Sequence, residues 1–227
     1  MFSLLRKHLF PPRCLICSNG EGVEDGVCIE CRSRIRFLPE PVCDVCGTSL
    51  GTPGTCIECL SRPPEYDRML SVCVFDGLIQ DVIHRFKYHR ATVFGKFLAK
   101  LVYRSVTEKG IRPDVLTFVP LHWSRIVLRG YNQSALIARD LSGYMGVDVR
   151  YGILHKTIKT PSQVGLPKRD RERNLKAVFS ARGVEGKSVM VVDDVITTGR
   201  TAREVSKTLK KAGAKHVFFV SVGRTAS

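Results

Sequence analysis

The sequence predicts an α/β protein, in which a parallel sheet with flanking helices is preceded by a small zinc-ribbon module. From about residue 65 onward, β-branched apolar runs alternate with segments whose apolar residues have helical spacing. This pattern is typical of a parallel sheet covered on both faces. Before that point, cysteines recur in close pairs within a stretch rich in Gly, Pro and polar residues. Such a stretch buries little core and needs a metal. The Pro-rich junction at Pro64 divides the chain into domains 1–64 and 65–227.

The composition narrows the range of partners and locations. The chain has 227 residues and a formal net charge of +15 at pH 7, which favours anionic partners such as phosphorylated metabolites or nucleic acid. No run of 18 or more apolar residues is present, so no membrane insertion is predicted. The first residues form a short apolar stretch interrupted by Arg6, Lys7 and His8, unlike a signal peptide. We therefore predict a short leading amphipathic helix and a cytoplasmic protein.

Eight of the nine cysteines form four Cys-x2-Cys knuckles, and two knuckles supply the four thiolates of a tetrahedral zinc site. The predicted ligands of two structural zinc ions are Cys14, Cys17, Cys28, Cys31, Cys43, Cys46, Cys56 and Cys59. Sequential pairing of the knuckles is the simplest arrangement, and crossed pairing stays open. A disulfide framework is disfavoured because no export signal is visible, and an iron–sulfur cluster lacks its usual spacing. Cys73 lies alone in an apolar alternation, which predicts an inert core residue.

The elements of the second domain can be placed in order from their periodicity and their stop signals. We predict a strand from 68 that enters a turn at Asp76-Gly77, a strand from 114 that ends at Pro120, and strands over 148–157, 188–194 and 215–223. We predict helices over 78–90, 91–110 and 200–214, and a helix from 132 that ends near Gly143 or Gly146.

The stretch "VMVVDDVITTGRTA" carries the candidate ligand site, because its apolar strand ends in Asp193 and Asp194. Open parallel sheets bind ligands beyond the carboxyl ends of their strands, and ionised carboxylates accept hydrogen bonds from a vicinal diol. The following turn into a helix offers free N–H groups for a phosphate, with hydroxyls from Thr197, Thr198 and Thr201. The stretch predicts a sugar-phosphate clamp; an acidic helix cap is the alternative. The motifs of P-loop and dinucleotide-binding proteins are missing from the sequence.

Three segments of the chain resemble a known family. "VMVVDDVITTGRT" resembles the phosphoribosyl pyrophosphate motif of type I phosphoribosyltransferases. "VPLHWSRIVLRGYNQSALIARDLS" and "TPSQVGLPKRDRERNLKAVF" resemble two further signatures of the ComF family. Members of that family carry a cysteine-knuckle segment before a phosphoribosyltransferase domain and are associated with natural competence. The resemblance covers nearly the whole chain.

The resemblance implies a role for each matching position. Asp193 and Asp194 would hold the ribose 2- and 3-hydroxyls and act in catalysis, with Mg²⁺ arriving on phosphoribosyl pyrophosphate. The residues implied for the 5-phosphate are Thr197, Thr198, Gly199, Arg200 and Thr201. Those implied for the pyrophosphate loop and a lid over 160–174 are Leu121, His122, Trp123, Arg129, Lys168, Arg169, Arg171 and Arg173.

Two functional hypotheses follow. The first is a phosphoribosyltransferase that acts in DNA uptake on an acceptor that the sequence does not identify. The second is a non-catalytic protein that senses phosphoribosyl pyrophosphate and binds single-stranded DNA, with Trp123 and Tyr131 as stacking candidates. A protein of the competence machinery is a further possible partner. No N-terminal catalytic cysteine of a glutaminase is visible, since Cys14 is assigned to zinc, and this disfavours an amidophosphoribosyltransferase.

Overall fold

A parallel sheet lies at the centre of the computed structural model, which describes residues 12–156 and 179–225. Its four strands stand in the order β1-β6-β5-β2. Their bounds are β1 (Arg68–Val74), β2 (Val115–Phe118), β5 (Ser188–Ile196) and β6 (His216–Arg224). A separate antiparallel pair consists of β3 (Leu154–Lys156) and β4 (Phe179–Ala181). The predicted parallel α/β architecture is confirmed.

Helices cover both faces of the sheet. They are α3 (Gly77–Tyr88), α4 (Phe94–Glu108), α6 (Gln133–Met145) and α7 (Arg200–Lys211). Two short helices, α1 (Ile29–Ser33) and α2 (Ile57–Ser61), lie in the cysteine-rich module, and α5 (Trp123–Arg129) follows β2 and buries no residue. Successive residues of β5 point to opposite sides. Met190 and Val192 pack in one apolar cluster with α3, α4 and α6, whereas Val189 and Val191 pack in another with α7. Because β5 is buried on both sides, four successive residues, 189–192, are apolar.

Two predicted strands need correction. Strand β5 does not end at the aspartates but continues to Ile196, because Ile196 still lies opposite Arg224 of β6. The strand predicted over 148–157 is reduced to β3, which pairs outside the main sheet, while Val149 forms a single bridge with Leu116. Four short elements were not predicted: α1, α2, α5 and β4, with five, five, seven and three residues respectively.

The cysteine-rich module packs directly on β1, the strand at one edge of the sheet. Leu38 N donates to Val72 O at 3.0 Å, and Met69 N donates to Val45 O at 2.7 Å. The division into domains 1–64 and 65–227 stays a prediction, and the predicted leading helix lies outside the described residues. Within the described residues, no helix is long and apolar enough to cross a membrane.

Candidate functional site

The eight knuckle cysteines form two clusters, and the knuckles pair sequentially. Within each cluster the four Sγ atoms lie within 4.8 Å of one another. The first cluster contains Cys14, Cys17, Cys28 and Cys31, and the second contains Cys43, Cys46, Cys56 and Cys59. The Sγ atoms of Cys17 and Cys28 are 3.6 Å apart, and those of Cys46 and Cys56 are 3.7 Å apart. Sulfurs of a tetrahedral zinc site are about 3.8 Å apart, so the clusters fit zinc.

Backbone N–H groups around each cluster favour the thiolate form that zinc requires. Ile16 N donates to the Sγ of Cys14 at 3.4 Å, and Cys56 N donates to the Sγ of Cys43 at 3.2 Å. Burial acts to raise the pKa of Cys14 and Cys43, but these and other backbone donors outweigh it and lower both pKa values to about 6. Cys73 stands apart from the clusters and is buried, which raises its pKa to about 12.

The aspartate pair is held by side chains from two helices. The Asp193 Oδ1 atom accepts from Ser134 Oγ at 2.9 Å and from Asp194 N at 2.9 Å. The Asp194 Oδ1 atom lies 2.9 Å from the Nζ of Lys87, at the end of α3. Burial and the neighbouring Asp194 charge raise the pKa of Asp193 well above its ordinary value, against the opposing effect of the hydrogen bonds and Lys87.

The loop after β5 and the start of α7 form a small cavity beside this pair. The cavity has a volume of about 40 Å³ and is lined by Asp193, Val195, Ile196, Thr197, Thr198, Gly199, Arg200, Thr201, Ala202 and Phe219. Gly199 has a φ of +70°, a conformation that glycine adopts without strain. The N-cap residue Gly199 offers no side-chain cap, and within the described residues Arg200 N makes only a long contact, 3.5 Å, with Thr198 Oγ1. The N–H groups that follow in the first turn can bind an anion. Asp193 therefore lines the same cavity as all five residues predicted to bind the 5-phosphate.

The predicted pyrophosphate loop follows β2 and runs beside the aspartates, because Val119 N donates to Val192 O at 3.0 Å. Its side chains do not line the small cavity. His122 instead caps α5, with its Nδ1 atom 2.7 Å from Ser124 Oγ. The lid positions, Lys168 and Arg169 among them, lie outside the described residues.

Arg129 is fixed by two neighbours. Its guanidinium donates to Gln133 Oε1 and to the Tyr88 hydroxyl, each at 3.1 Å, and its Cζ lies 4.9 Å from the centre of the Tyr88 ring. The Nε of Arg129 and the Nε2 of Gln133 are buried and have no hydrogen-bond partner among residues 12–156 and 179–225. Two buried unpaired donors are costly in an ordinary core and are consistent with a ligand that supplies oxygen acceptors.

Four residues of the site were missed by the sequence reading: Lys87, Asn132, Gln133 and Ser134. Asn132 caps α6 through its Oδ1, and its Nδ2 donates to Val119 O at 3.0 Å, which ties α6 to the loop after β2. Gln133 and Ser134 are buried polar residues at the start of α6, and Lys87 lies in the last turn of α3. The sequence feature that could have identified them is a polar residue on the inward face of an amphipathic helix.

The two residues predicted to stack on bases differ in their exposure. Tyr131 packs on Phe86, whereas Trp123 is 60% exposed.

A larger cavity of about 400 Å³ lies between β1, α4 and the segment 37–47. The residues predicted for the sugar-phosphate site do not line it. Three of its four charged lining residues are paired, since Lys109 lies 2.9 Å from Glu40 and Arg104 lies 3.1 Å from Asp25. We therefore assign the candidate site to the edge of the sheet at Asp193.

Comparison with known proteins gives two family matches and several close relatives. Residues 5–60 match the double zinc ribbon domain family, and residues 131–225 match the phosphoribosyl transferase domain family. The zinc-ribbon module and the phosphoribosyltransferase fold are thereby confirmed. Both matches agree with the geometry, because the clusters lie in the first range, and Asp193 and the phosphate loop lie in the second.

The full-length relatives combine both parts. The chain is 32% identical to competence protein F of Haemophilus influenzae over 92% of this chain and 96% of that protein. It is 31% identical to the DNA utilization protein YhgH of Salmonella typhi over 91% of this chain and 94% of that protein. It is 26% identical to competence protein ComFC of Bacillus subtilis over 84% of this chain and 80% of that protein.

Proposed function

This chain belongs to the ComF family of competence proteins, and from that premise we propose that it binds phosphoribosyl pyrophosphate with Mg²⁺ at the edge of the sheet. We propose further that it transfers the phosphoribosyl group during DNA uptake, in the cytoplasm. The observation that carries the proposal is the cavity lined jointly by Asp193 and residues 197–201, because a sugar phosphate presents a diol and a phosphate to those two groups at once.

The aspartate pair and the loop after β5 each suit one part of the ligand; of the pair, Asp193 lines the cavity and Asp194 lies beside it in β5. The carboxylates of Asp193 and Asp194 would accept hydrogen bonds from the ribose 2- and 3-hydroxyls. The first-turn N–H groups of α7, with the hydroxyls of Thr198 and Thr201, would donate to the 5-phosphate. Gly199 keeps the loop in the conformation that directs these N–H groups to one point.

The reaction would break the bond between the anomeric carbon and the pyrophosphate oxygen, whose electron pair leaves with pyrophosphate. A lone pair of the acceptor forms the new bond. Arg129, with its unpaired Nε, would donate to the leaving pyrophosphate as negative charge builds there. Mg²⁺ prefers oxygen ligands, which the carboxylates and the sugar phosphate both offer, and would supply further positive charge to pyrophosphate.

A second candidate function is single-stranded DNA binding without catalysis, with phosphoribosyl pyrophosphate as a regulator. The formal charge of +15 and the exposed Trp123 favour it, because cationic side chains bind the phosphates and an aromatic ring stacks on bases. A protein of the competence machinery would be a further partner in either case.

The variant Asp193→Asn/Asp194→Asn tests the site. We expect its affinity for phosphoribosyl pyrophosphate with Mg²⁺, measured by calorimetry, to fall at least about tenfold, because charge-assisted hydrogen bonds contribute about 1.5–3 kcal/mol each. Affinity for a labelled single-stranded oligonucleotide, measured by fluorescence anisotropy, should stay unchanged. Pyrophosphate release in the presence of single-stranded DNA, free bases and amines separates the two functions. Equal sugar-phosphate affinity in wild type and variant would contradict the assignment.

A further inference from the structure

Lys87 forms the contact in the site that neither the motif nor the proposed reaction accounts for. Its Nζ lies 2.9 Å from the Asp194 Oδ1 atom, and the two side chains are only 19% and 12% exposed. Among the described residues, Lys87 is the one cation that forms an ion pair with either aspartate, and its partner is Asp194. The end of α3 is anchored there, because the Tyr131 hydroxyl donates to Phe86 O, directly before Lys87.

We propose that Lys87 is a built-in counter-cation, which occupies the place that a divalent metal would otherwise take on the aspartate pair. Two adjacent carboxylates at a partly enclosed edge are a strong attraction for a small divalent ion. Lys87 neutralises one of these charges and engages one of the four carboxylate oxygens that such an ion would use. The purpose of this arrangement rests on the proposed function. Because Lys87 disfavours a metal on the carboxylates, they remain available to bind the sugar diol, and Mg²⁺ binds only together with the sugar phosphate.

This role predicts opposite effects on two ligands when the positive charge is removed. Without Lys87, none of the described cations pairs with the carboxylates. A bare divalent cation would then replace a missing partner rather than compete with one, so the affinity of the carboxylates for it should rise. The same loss makes the site more negative, so its affinity for the polyanionic sugar phosphate should fall. A purely structural role for Lys87 would lower both affinities together, because a distorted site binds neither ligand well.

The test uses the full chain as purified, with zinc on its thiolates, and Mn²⁺ as the probe of the carboxylates, since Mn²⁺ prefers oxygen ligands. Free Mn²⁺ is measured by electron paramagnetic resonance in Lys87→Met and in wild type, without any sugar phosphate. We expect Lys87→Met to bind Mn²⁺ at least about tenfold more tightly. In calorimetry with Mg²⁺, its affinity for phosphoribosyl pyrophosphate should fall at least about tenfold.

Two variants complete the design. Lys87→Gln keeps a polar side chain that can donate to Asp194 but carries no charge, and should bind Mn²⁺ as tightly as Lys87→Met does, even where the Met variant folds poorly. Lys207→Met removes an exposed lysine of α7 and should change neither affinity. Unchanged or weaker Mn²⁺ binding in Lys87→Gln would overturn the counter-cation role. If wild type fails to bind phosphoribosyl pyrophosphate, the proposed function falls, while the Mn²⁺ comparison still decides the role of Lys87.

Discussion

The two cysteine clusters have the same ligands but are attached to the rest of the protein by different forces. The first cluster is attached by side chains. Asp25 lies 2.6 Å from Lys100 and 3.1 Å from Arg104 of α4. Val27 and Ile35 pack in one apolar cluster with the buried residues of α3 and α4. The second cluster is attached by main-chain contacts to the sheet. Met69 N donates to Val45 O at 2.7 Å, and the Arg224 guanidinium donates to Cys46 O at 2.6 Å.

This difference indicates that the second cluster is part of the sheet, whereas the first is attached to its helices. Partly exposed ion pairs contribute little and are screened by salt. Hydrogen bonds to backbone groups at a strand edge are less easily replaced by water when buried. The second cluster is also linked to the proposed site, because Arg224, which donates to Cys46 O, lies opposite Ile196, and Ile196 lines the small cavity.

The largest expected effect comes from removing one ligand of each cluster. Cys59→Ala should abolish zinc binding at the second cluster and lower the free energy of unfolding by about 4 kcal/mol or more, since loss of a structural metal is among the most damaging changes. Cys17→Ala should also remove one zinc but leave the sheet closer to its native stability. Elemental analysis gives the zinc content, and thermal unfolding gives the stability. Equal destabilisation by both variants would contradict the proposed difference.

An intermediate effect is expected at Gly47, which follows the third knuckle. A Cβ atom added at Gly47 would lie 2.6 Å from Met69 O, a backbone atom of β1. Gly110 has nearly the same φ, +65° against +66°, but nothing lies within 4 Å of its added Cβ. Gly110→Ala should therefore lower the free energy of unfolding by about 1 kcal/mol, because alanine disfavours the left-handed conformation. Gly47→Ala should lower it by about 3 kcal/mol, because β1 must move as well.

Denaturant unfolding of both variants measures this difference. The excess cost of Gly47→Ala over Gly110→Ala reports how closely the knuckle approaches β1. Identical unfolding free energies in the two variants would mean that the third knuckle does not pack tightly against β1 at Gly47.

The smallest effect is expected at the first cluster. Asp25→Asn removes the charge that attracts Lys100 and Arg104, and should lower the free energy of unfolding by at most about 1 kcal/mol. In about 1 M salt the difference from wild type should vanish, because the ion pairs are screened. Zinc content should stay the same. A loss that persists in high salt would show that Asp25 holds the cluster by more than charge.

The sequence predicted the parts of the site that are contiguous in the chain, and missed those that helix packing brings together. The aspartates and the phosphate loop belong to one stretch, so their proximity follows from a strand, a turn and a helix in succession. Lys87 reaches Asp194 from α3, and Ser134 reaches Asp193 from α6. Those contacts depend on how two helices pack over the sheet, which periodicity alone does not specify.

The knuckles illustrate the same limit. Spacing was enough to predict two sets of four cysteines, but the pairing order needed the distances between sulfurs. The end of β5 was placed too early because paired charges resemble a stop signal. Pairing with β6 continues through Asp193 to Ile196, since a neighbouring strand satisfies backbone groups whatever the side chains are.

The contacts of the module with β1 also bear on how the chain avoids aggregation. An open strand edge can pair with another molecule, and the outer edge of β1 is covered where Val72 O accepts from Leu38 N and Val74 N donates to Arg36 O. The inner partner of β1 is β6, which the ribosome makes much later. During synthesis, the metal-loaded module is therefore the first structure able to shield this edge. Zinc starvation would leave the newly made strand open on both sides.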